Sequence, residues 1–237
     1  MIAEISPSER MFCDVYLSIK SIGQQLTSEP NRSQLRSRDL PYVRHLLRSH
    51  IGCPIGDLVI EVDSRGKPFV TSSSGPIAFS ISHSGGVTAL AIAHTRAIGV
   101  DVELDRPIND FRDMASFVLQ DDEQHFLGRA HATEVNRRFL EIWTRKEASL
   151  KAGTLQSWCD LRQILVANRD GWLPWARHSQ RLTSFFVVGF KYCGFLGAIA
   201  SDTPISLRLH DLKKDGFVDE QQRASKGLSN SRGCDSN

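Results

Sequence analysis

The stretch IAFSISHSGGVTALAIAHTRAIGVDVEL, residues 77–104, decides the architecture of this chain. Ile77 to Ser82 and Val87 to Ala93 read as two strands, and the intervening His83, Ser84, Gly85 and Gly86 make them a β-hairpin. A third strand follows from Ala97 to Leu104. Working back toward the N-terminus, Leu58, Ile60 and Val62 alternate with polar neighbours and end at Asp63-Ser64-Arg65-Gly66, a turn sequence. Val43, Leu46 and Leu47 recur at helical spacing, with Pro41 to open the helix and Gly52 and Pro54 to stop it. Cys13, Val15, Leu17 and Ile19 alternate with Asp14, Tyr16 and Ser18, the pattern of a strand with one buried face.

Working forward, the pattern predicts helices near Asp110 to Leu119 and from Asn136 to Ala152, with Gly153 ending the second. Strands are expected at Leu161 to Ala167, Phe185 to Phe190 and Gly194 to Ala200. Strands and helices thus come in clusters rather than in strict alternation, which predicts an α+β fold and not a doubly wound parallel sheet. From about Asp211 the chain turns polar, too poor in apolar residues to offset the entropy of ordering, and reads as a disordered tail over 211–237.

Composition narrows the function classes. Over 237 residues, 41% are hydrophobic and 24% charged, ordinary values for a globular enzyme. A net charge of +2 is too small for non-specific nucleic-acid binding, so any anion site must come from local placement of cations. The five cysteines (Cys13, Cys53, Cys159, Cys193 and Cys234) include no C-x-x-C pair, which argues against a zinc site or a disulfide framework and favours a reducing cytosol. Glu4, Ser6, Pro7, Ser8, Glu9 and Arg10 interrupt any leader-like apolar core, and the most apolar run, Phe185 to Ala200, is broken by Gly189, Lys191, Gly194 and Gly197. The expectation is a cytoplasmic protein with no membrane and no nucleic-acid partner.

The chemistry-bearing residues fall in four segments. On the strand Ile98-Gly99-Val100-Asp101-Val102-Glu103, side chains two apart share a face, so Asp101 and Glu103 project together while Val100 and Val102 point into the core. By itself such a pair is more often a solvated strand end; the sharper reading is half of a magnesium site completed by phosphate and water. In Trp143-Thr144-Arg145-Lys146-Glu147-Ala148-Ser149-Leu150-Lys151, Glu147 and Lys151 lie four apart on one helical face, either as an ordinary surface pair or as the other half of that site. Lys146 or Lys151 would then balance charge on a phosphate, and Trp143 reads as a core anchor. Phe79-Ser80-Ile81-Ser82-His83-Ser84 offers hydroxyls and an imidazole for a phosphate, or is simply a hairpin end containing histidine. Gly66-Lys67-Pro68 is a turn or a ligand contact, and Arg44 and Arg48 a solvated face or an anion clamp.

Taken together, Gly66-Lys67-Pro68, Phe79 to Ser84, Ile98 to Glu103 and Trp143 to Lys151 resemble the 4'-phosphopantetheinyl transferase family, in its larger, surfactin-synthetase-activating type. The resemblance implies a pseudo-twofold fold of two similar α+β halves, here 1–96 and 97–210, with coenzyme A in the cleft between them. It implies transfer of the 4'-phosphopantetheine moiety of coenzyme A to a serine of an apo acyl or peptidyl carrier protein, with release of 3',5'-ADP. Magnesium would be held by Asp101, Glu103 and Glu147, and Glu147 would also serve as the base for the carrier serine. Lys151 matches the lysine near the transferred phosphate. Lys67, Pro68, Ser82 and His83 match positions lining the nucleotide and phosphates, and Arg44 an arginine facing the 3'-phosphate. The carriers would belong to polyketide, nonribosomal peptide or fatty-acid synthases, and the enzyme would act as a monomer.

Two other readings are weighed. A metal-dependent nuclease would want Glu-x-Lys on a strand and a basic surface, and the sequence offers neither. A non-catalytic coenzyme A or carrier-protein binding module of the same fold is the runner-up; loss of a metal carboxylate would support it, yet all three are in place. Phe117, Val118, Leu119 and Phe126 read either as helix core or as an apolar patch for a carrier helix.

Overall fold

In a computed structural model that describes residues 11–19, 40–51, 60–62, 68–70, 77–153, 158–180 and 182–212, the hairpin is tighter than the residue pattern predicts. Its strands are β4 (Ala78–Ser84) and β5 (Val87–Ala93), here numbered in chain order, so that only Gly85 and Gly86 remain for the turn. Both glycines have positive φ, 52° and 85°, the backbone a two-residue turn needs to match the twist of its strands. The ladder therefore continues through His83↔Thr88 to Ser84↔Val87. Ser84, expected in the loop, is a strand residue on the same face as Ser80 and Ser82.

Around this hairpin stand β1 (Met11–Ile19), α1 (Leu40–Ile51), β2 (Ile60–Val62), β3 (Pro68–Val70) and β6 (Ile98–Leu104). Downstream come α2 (Phe111–Val118), α3 (Asp121–Gly128), α4 (Val135–Ala152), α5 (Trp158–Gln163), β7 (Ile164–Asn168), β8 (Gly171–His178), β9 (Ser184–Tyr192), β10 (Phe195–Ser201) and β11 (Ile205–Asp211). One sheet has the order β11-β1-β5-β4 and a second β6-β10-β9-β8-β7, with β2-β3 a separate pair. The α+β expectation is borne out.

Three apolar layers set the stacking. Val43, Leu46 and Leu47 of α1 pack with Phe79, Leu90 and Ile92 on one face of the first sheet. Its other face, with Cys13, Val15, Leu17, Ala89 and Ala91, meets Val100, Val102 and Ile199 of the second sheet. The far face of the second sheet, with Ala198 and Ala200, is covered by α2 to α5 through Val118, Phe126, Phe139, Trp143 and Leu161. The order is thus helix, sheet, sheet, helices. At the end of α1, His50 Nδ1 lies 3.5 Å from Asp14 Oδ2, and His210 Nε2 of β11 lies 2.7 Å from Asp14 Oδ1, which ties helix, central strand and edge strand together.

Several elements depart from the sequence expectation. β11 pairs parallel with β1, Met11↔Ile205 through Leu17↔Asp211, and Leu212 is buried under α1, so residue 211 belongs to the fold and not to a tail. Leu161 to Gln163 are helical rather than strand. The expected helix end at Gly153 is correct, but its φ of −76° and ψ of −177° are extended rather than left-handed. The turn at 63–66, the helix-stopping Gly52 and Pro54, and residues 213–237 lie outside the described residues. Cys13 and Cys193 carry free thiols, and no helix among the described residues is long and apolar enough to cross a membrane.

One contact fixes how α4 lies on the second sheet. A Cβ at Gly99 of β6 would stand 2.0 Å from the Ala148 carbonyl oxygen and 2.5 Å from the Ala152 nitrogen, both backbone atoms that cannot swing aside. Gly99→Ala is therefore expected to cost about 1–3 kcal/mol, the usual penalty of overpacking, read as a lower midpoint in urea unfolding. An unchanged midpoint would mean that α4 moves freely over β6.

Candidate active site

Pleating turns Val100 and Val102 of β6 into the layer between the sheets and sends Asp101 and Glu103 to the side on which α4 lies. Asp101 is buried, with 4% of its surface exposed, which is costly for a carboxylate unless it is paired. Its Oδ1 accepts from Lys151 Nζ of α4 at 2.6 Å and from Ser82 Oγ of β4 at 2.9 Å. Lys151 Nζ also donates to Ser82 Oγ at 3.1 Å. Three elements distant in sequence thus meet at one ammonium, one carboxylate and one hydroxyl. Two residues along β6, Glu103 Oε2 accepts from Ser84 Oγ at 2.6 Å. Glu147, also buried, lies one turn before Lys151 on α4.

The rest of the Trp143–Lys151 segment is structural. Trp143 is buried against Phe139, with ring centroids 6.2 Å apart, as expected of a core anchor. Arg145 lies with its guanidinium carbon 3.8 Å from the Trp172 ring centroid and donates to the Glu141 carbonyl at 2.9 Å; burial pulls its pKa down to about 10. Lys146, the alternative to Lys151 as a phosphate partner, turns the opposite way. It is fully buried, 2.7 Å from Glu123 Oε2, and also donates to the carbonyls of Leu161 and Ile164. That lysine supports α3, α5 and β7 and does not reach the Asp101 cluster.

The remaining predicted residues are placed less completely. His83 points to the face of β4 opposite Ser82 and Ser84, where its Nδ1 lies 2.9 Å from Thr88 Oγ1. That is the face α1 covers, and Arg44 is half-buried on α1. Pro68 begins β3 by its backbone, and Lys67 lies outside the described residues.

Among the described residues, no group of three His, Cys, Asp or Glu side chains stands close enough to hold a metal ion. Asp101, Glu103 and Glu147 are thus not a finished ligand cluster, and an ammonium occupies one oxygen of Asp101. A cation does fit at one atom: Asp101 Oδ2 is buried and has no hydrogen-bond partner among the described residues. An orphaned carboxylate oxygen in such a place is unstable unless something positive meets it. Acceptor-only oxygens of this kind are what magnesium takes.

With this geometry in hand, residues 97–194 match the model of the 4'-phosphopantetheinyl transferase superfamily. Over these residues the resemblance to that family holds. The chain is 31% identical to 4'-phosphopantetheinyl transferase HetI of Nostoc sp. (strain PCC 7120) over 112 residues, 46% of this chain and 47% of that protein. It is 31% identical to 4'-phosphopantetheinyl transferase AcpT of Escherichia coli (strain K12) over 112 residues, 47% of this chain and 56% of that one. To 4'-phosphopantetheinyl transferase psf-1 of Bacillus pumilus it is 28% identical over 109 residues, 46% of this chain and 45% of the relative. The chain spans about half the length of the curated relatives it matches.

The superfamily match runs from the start of β6 to the turn before β10, so it holds Asp101, Glu103, Glu147 and Lys151. Arg44, Lys67, Pro68, Ser82 and His83 lie outside it. Ser82 is nonetheless at the cluster, by direct contact with Asp101 and Lys151. Ser84 is the one site residue to which sequence reasoning assigns no separate role. Its signal is present in the repeated Ser-x-Ser-x-Ser pattern of residues 80–84, which puts three hydroxyls on one strand face.

Proposed function

We propose that this protein transfers the 4'-phosphopantetheine moiety of coenzyme A to a serine of an apo acyl or peptidyl carrier protein, releasing 3',5'-ADP. The observation that carries this reading is the meeting of Lys151, Asp101 and Ser82 beside the orphaned Asp101 Oδ2. The names of the relatives support it. Asp101, Glu103 and Glu147 would hold magnesium, which when bound neutralises charge on the pyrophosphate of coenzyme A. Lys151 presents its ammonium to the phosphate oxygens, with Ser82 and Asp101 holding it in place. The carrier serine oxygen bonds to the phosphorus that bears pantetheine, and the bond from that phosphorus to 3',5'-ADP breaks. Glu147 takes the serine proton, directly or through a water. Positioning and charge stabilisation do most of the work in such a transfer.

The helical layer on the outer face of each sheet supports a pseudo-twofold arrangement with halves at 1–96 and 97–210, in which β11 crosses over from the second half to pair with β1 in the first sheet. Coenzyme A would then reach from the Asp101 cluster at their junction past the end of β4 to the side of α1, with Arg44, Lys67, Pro68 and His83 along the nucleotide. We assign the larger, synthetase-activating type, a cytoplasmic monomer that serves polyketide or nonribosomal peptide synthases. The test is to incubate the protein with coenzyme A, magnesium and a panel of apo carriers, and to read each carrier by intact mass. A magnesium-dependent gain of one phosphopantetheine on at least one carrier is expected. Coenzyme A binding without any gain would instead support a non-catalytic module.

A further inference from the structure

β4 and β6 run side by side, yet they are not hydrogen-bonded neighbours in either sheet. The gap is bridged by side chains. Ser80 Oγ accepts from the Val100 amide at 3.1 Å, Ser82 Oγ from the Val102 amide at 3.4 Å, and Ser84 Oγ from the Leu104 amide at 3.3 Å. Each rung joins residues 20 apart, so the register is constant and parallel. β6 is an edge strand, and these hydroxyls satisfy the amides that its sheet leaves unpaired.

A hydroxyl that accepts still has one proton to give. Ser82 gives it to Asp101 Oδ1 and Ser84 gives it to Glu103 Oε2, at 2.9 and 2.6 Å. Ser82 is saturated in this way, accepting from Val102 and Lys151 and donating to Asp101. Two of the three rungs therefore end on the two carboxylates of β6, and each serine is itself oriented by a backbone amide.

We propose that Ser84 is a positioning residue, which orients the Glu103 carboxylate toward a divalent cation as Ser82 orients that of Asp101. The strand-to-strand ladder is the device that sets the cation site. This rests on the transferase reading in so far as the cation belongs to that reaction. Ser84 touches neither substrate nor reacting atoms; it acts through Glu103. A hydroxyl outside the ligand shell that fixes a ligand's orientation is commonly worth about 10–100-fold in metal affinity.

Ser80 supplies the control, since its rung bridges the same strands at the neighbouring position without being tied to Asp101 or Glu103 in this way. The experiment compares wild type, Ser80→Ala, Ser84→Ala and Ser84→Thr by unfolding midpoint and by Mn2+ binding, read as loss of the free-ion electron paramagnetic resonance signal. Ser80→Ala and Ser84→Ala are expected to lower the midpoint similarly, because each removes one amide acceptor. Ser84→Ala alone should weaken Mn2+ binding by about tenfold or more. Ser84→Thr, which keeps the hydroxyl on a strand that tolerates β-branching, should restore it. Equal Mn2+ affinity in Ser80→Ala and Ser84→Ala would overturn the proposal and leave the ladder purely structural. Failure of the wild type itself to bind Mn2+ would overturn the cation site of the transferase reading, and the positioning role with it.

Discussion

Asp101→Asn is expected to abolish carrier modification while leaving the unfolding midpoint unchanged or higher. The two effects follow from the same side chain. Asp101 Oδ1 anchors Lys151 and Ser82, whereas Oδ2 is buried with no partner among the described residues. Burying a carboxylate's charge is costly, and the amide removes that charge while its oxygen still accepts from Lys151 and Ser82. The ion pair with Lys151 that the substitution gives up contributes little, because that lysine is 32% exposed and screened by solvent. The midpoint should therefore stay within about 4 °C of wild type or rise, since 1 kcal/mol corresponds to roughly 2–4 °C at this chain length. Catalysis is a different matter. A carboxylate that holds a cation against a reacting phosphate contributes several kcal/mol to the barrier, so turnover should fall by about 10³-fold or more. Intact-mass time courses and thermal melts on the same preparation check both halves. Near-normal turnover would sink the cation assignment, and a collapsed midpoint would show Asp101 to be a structural residue.

Lys146→Met is expected to do the reverse. Lys146 and Glu123 are both fully buried, 2.7 Å apart, and burial pushes the lysine pKa down and the glutamate pKa up, each drawn back by the other. Glu123 is also tied to backbone: Oε2 accepts from the Gln120 amide and Oε1 from the Val166 amide, both at 3.0 Å. It therefore caps α3 and holds β7 while it neutralises the ammonium. Removing the lysine leaves that carboxylate buried without a counter-charge and takes the donor from the Leu161 and Ile164 carbonyls. Breaking one side of such a pair costs about 3–5 kcal/mol, or roughly 6–20 °C in the midpoint. Adding Glu123→Gln to Lys146→Met should recover part of the stability, a coupling that a double-mutant cycle would measure. Turnover per folded molecule should stay near wild type, in contrast to Asp101→Asn. A destabilisation under about 1 kcal/mol would contradict the structural role assigned to the pair.

These two lysines show where sequence reading stops. Lys146 and Lys151 stand in one motif, five residues apart, and both are candidates for a phosphate. Helical periodicity places them on different faces, but it does not say which face meets β6. The close approach of α4 to Gly99 settles that, since a helix that touches β6 at Ala148 and Ala152 carries Lys151 to Asp101 and Lys146 to Glu123. A similar limit applies to Ser84. Its hairpin is legible, because glycine pairs between strand-like runs mark turns, but the length of the turn depends on both glycines taking positive φ. That small difference moves Ser84 from a loop to a strand face.

Local rules reach whatever is encoded over a few neighbouring residues. The strands of residues 77–104, the long helix ending at Ala152, the α+β class and the shared faces of Asp101 with Glu103 and of Glu147 with Lys151 are all readable from periodicity. Long-range pairings are not. The parallel match of β11 to β1, the helical turn that runs into β7, and the serine rungs between sheets each depend on segments separated by intervening chain. Periodicity carries no information about which distant partner satisfies an edge amide or a buried charge. That choice is made only when the layers pack, because a buried polar group must then find whatever partner the packing brings within reach.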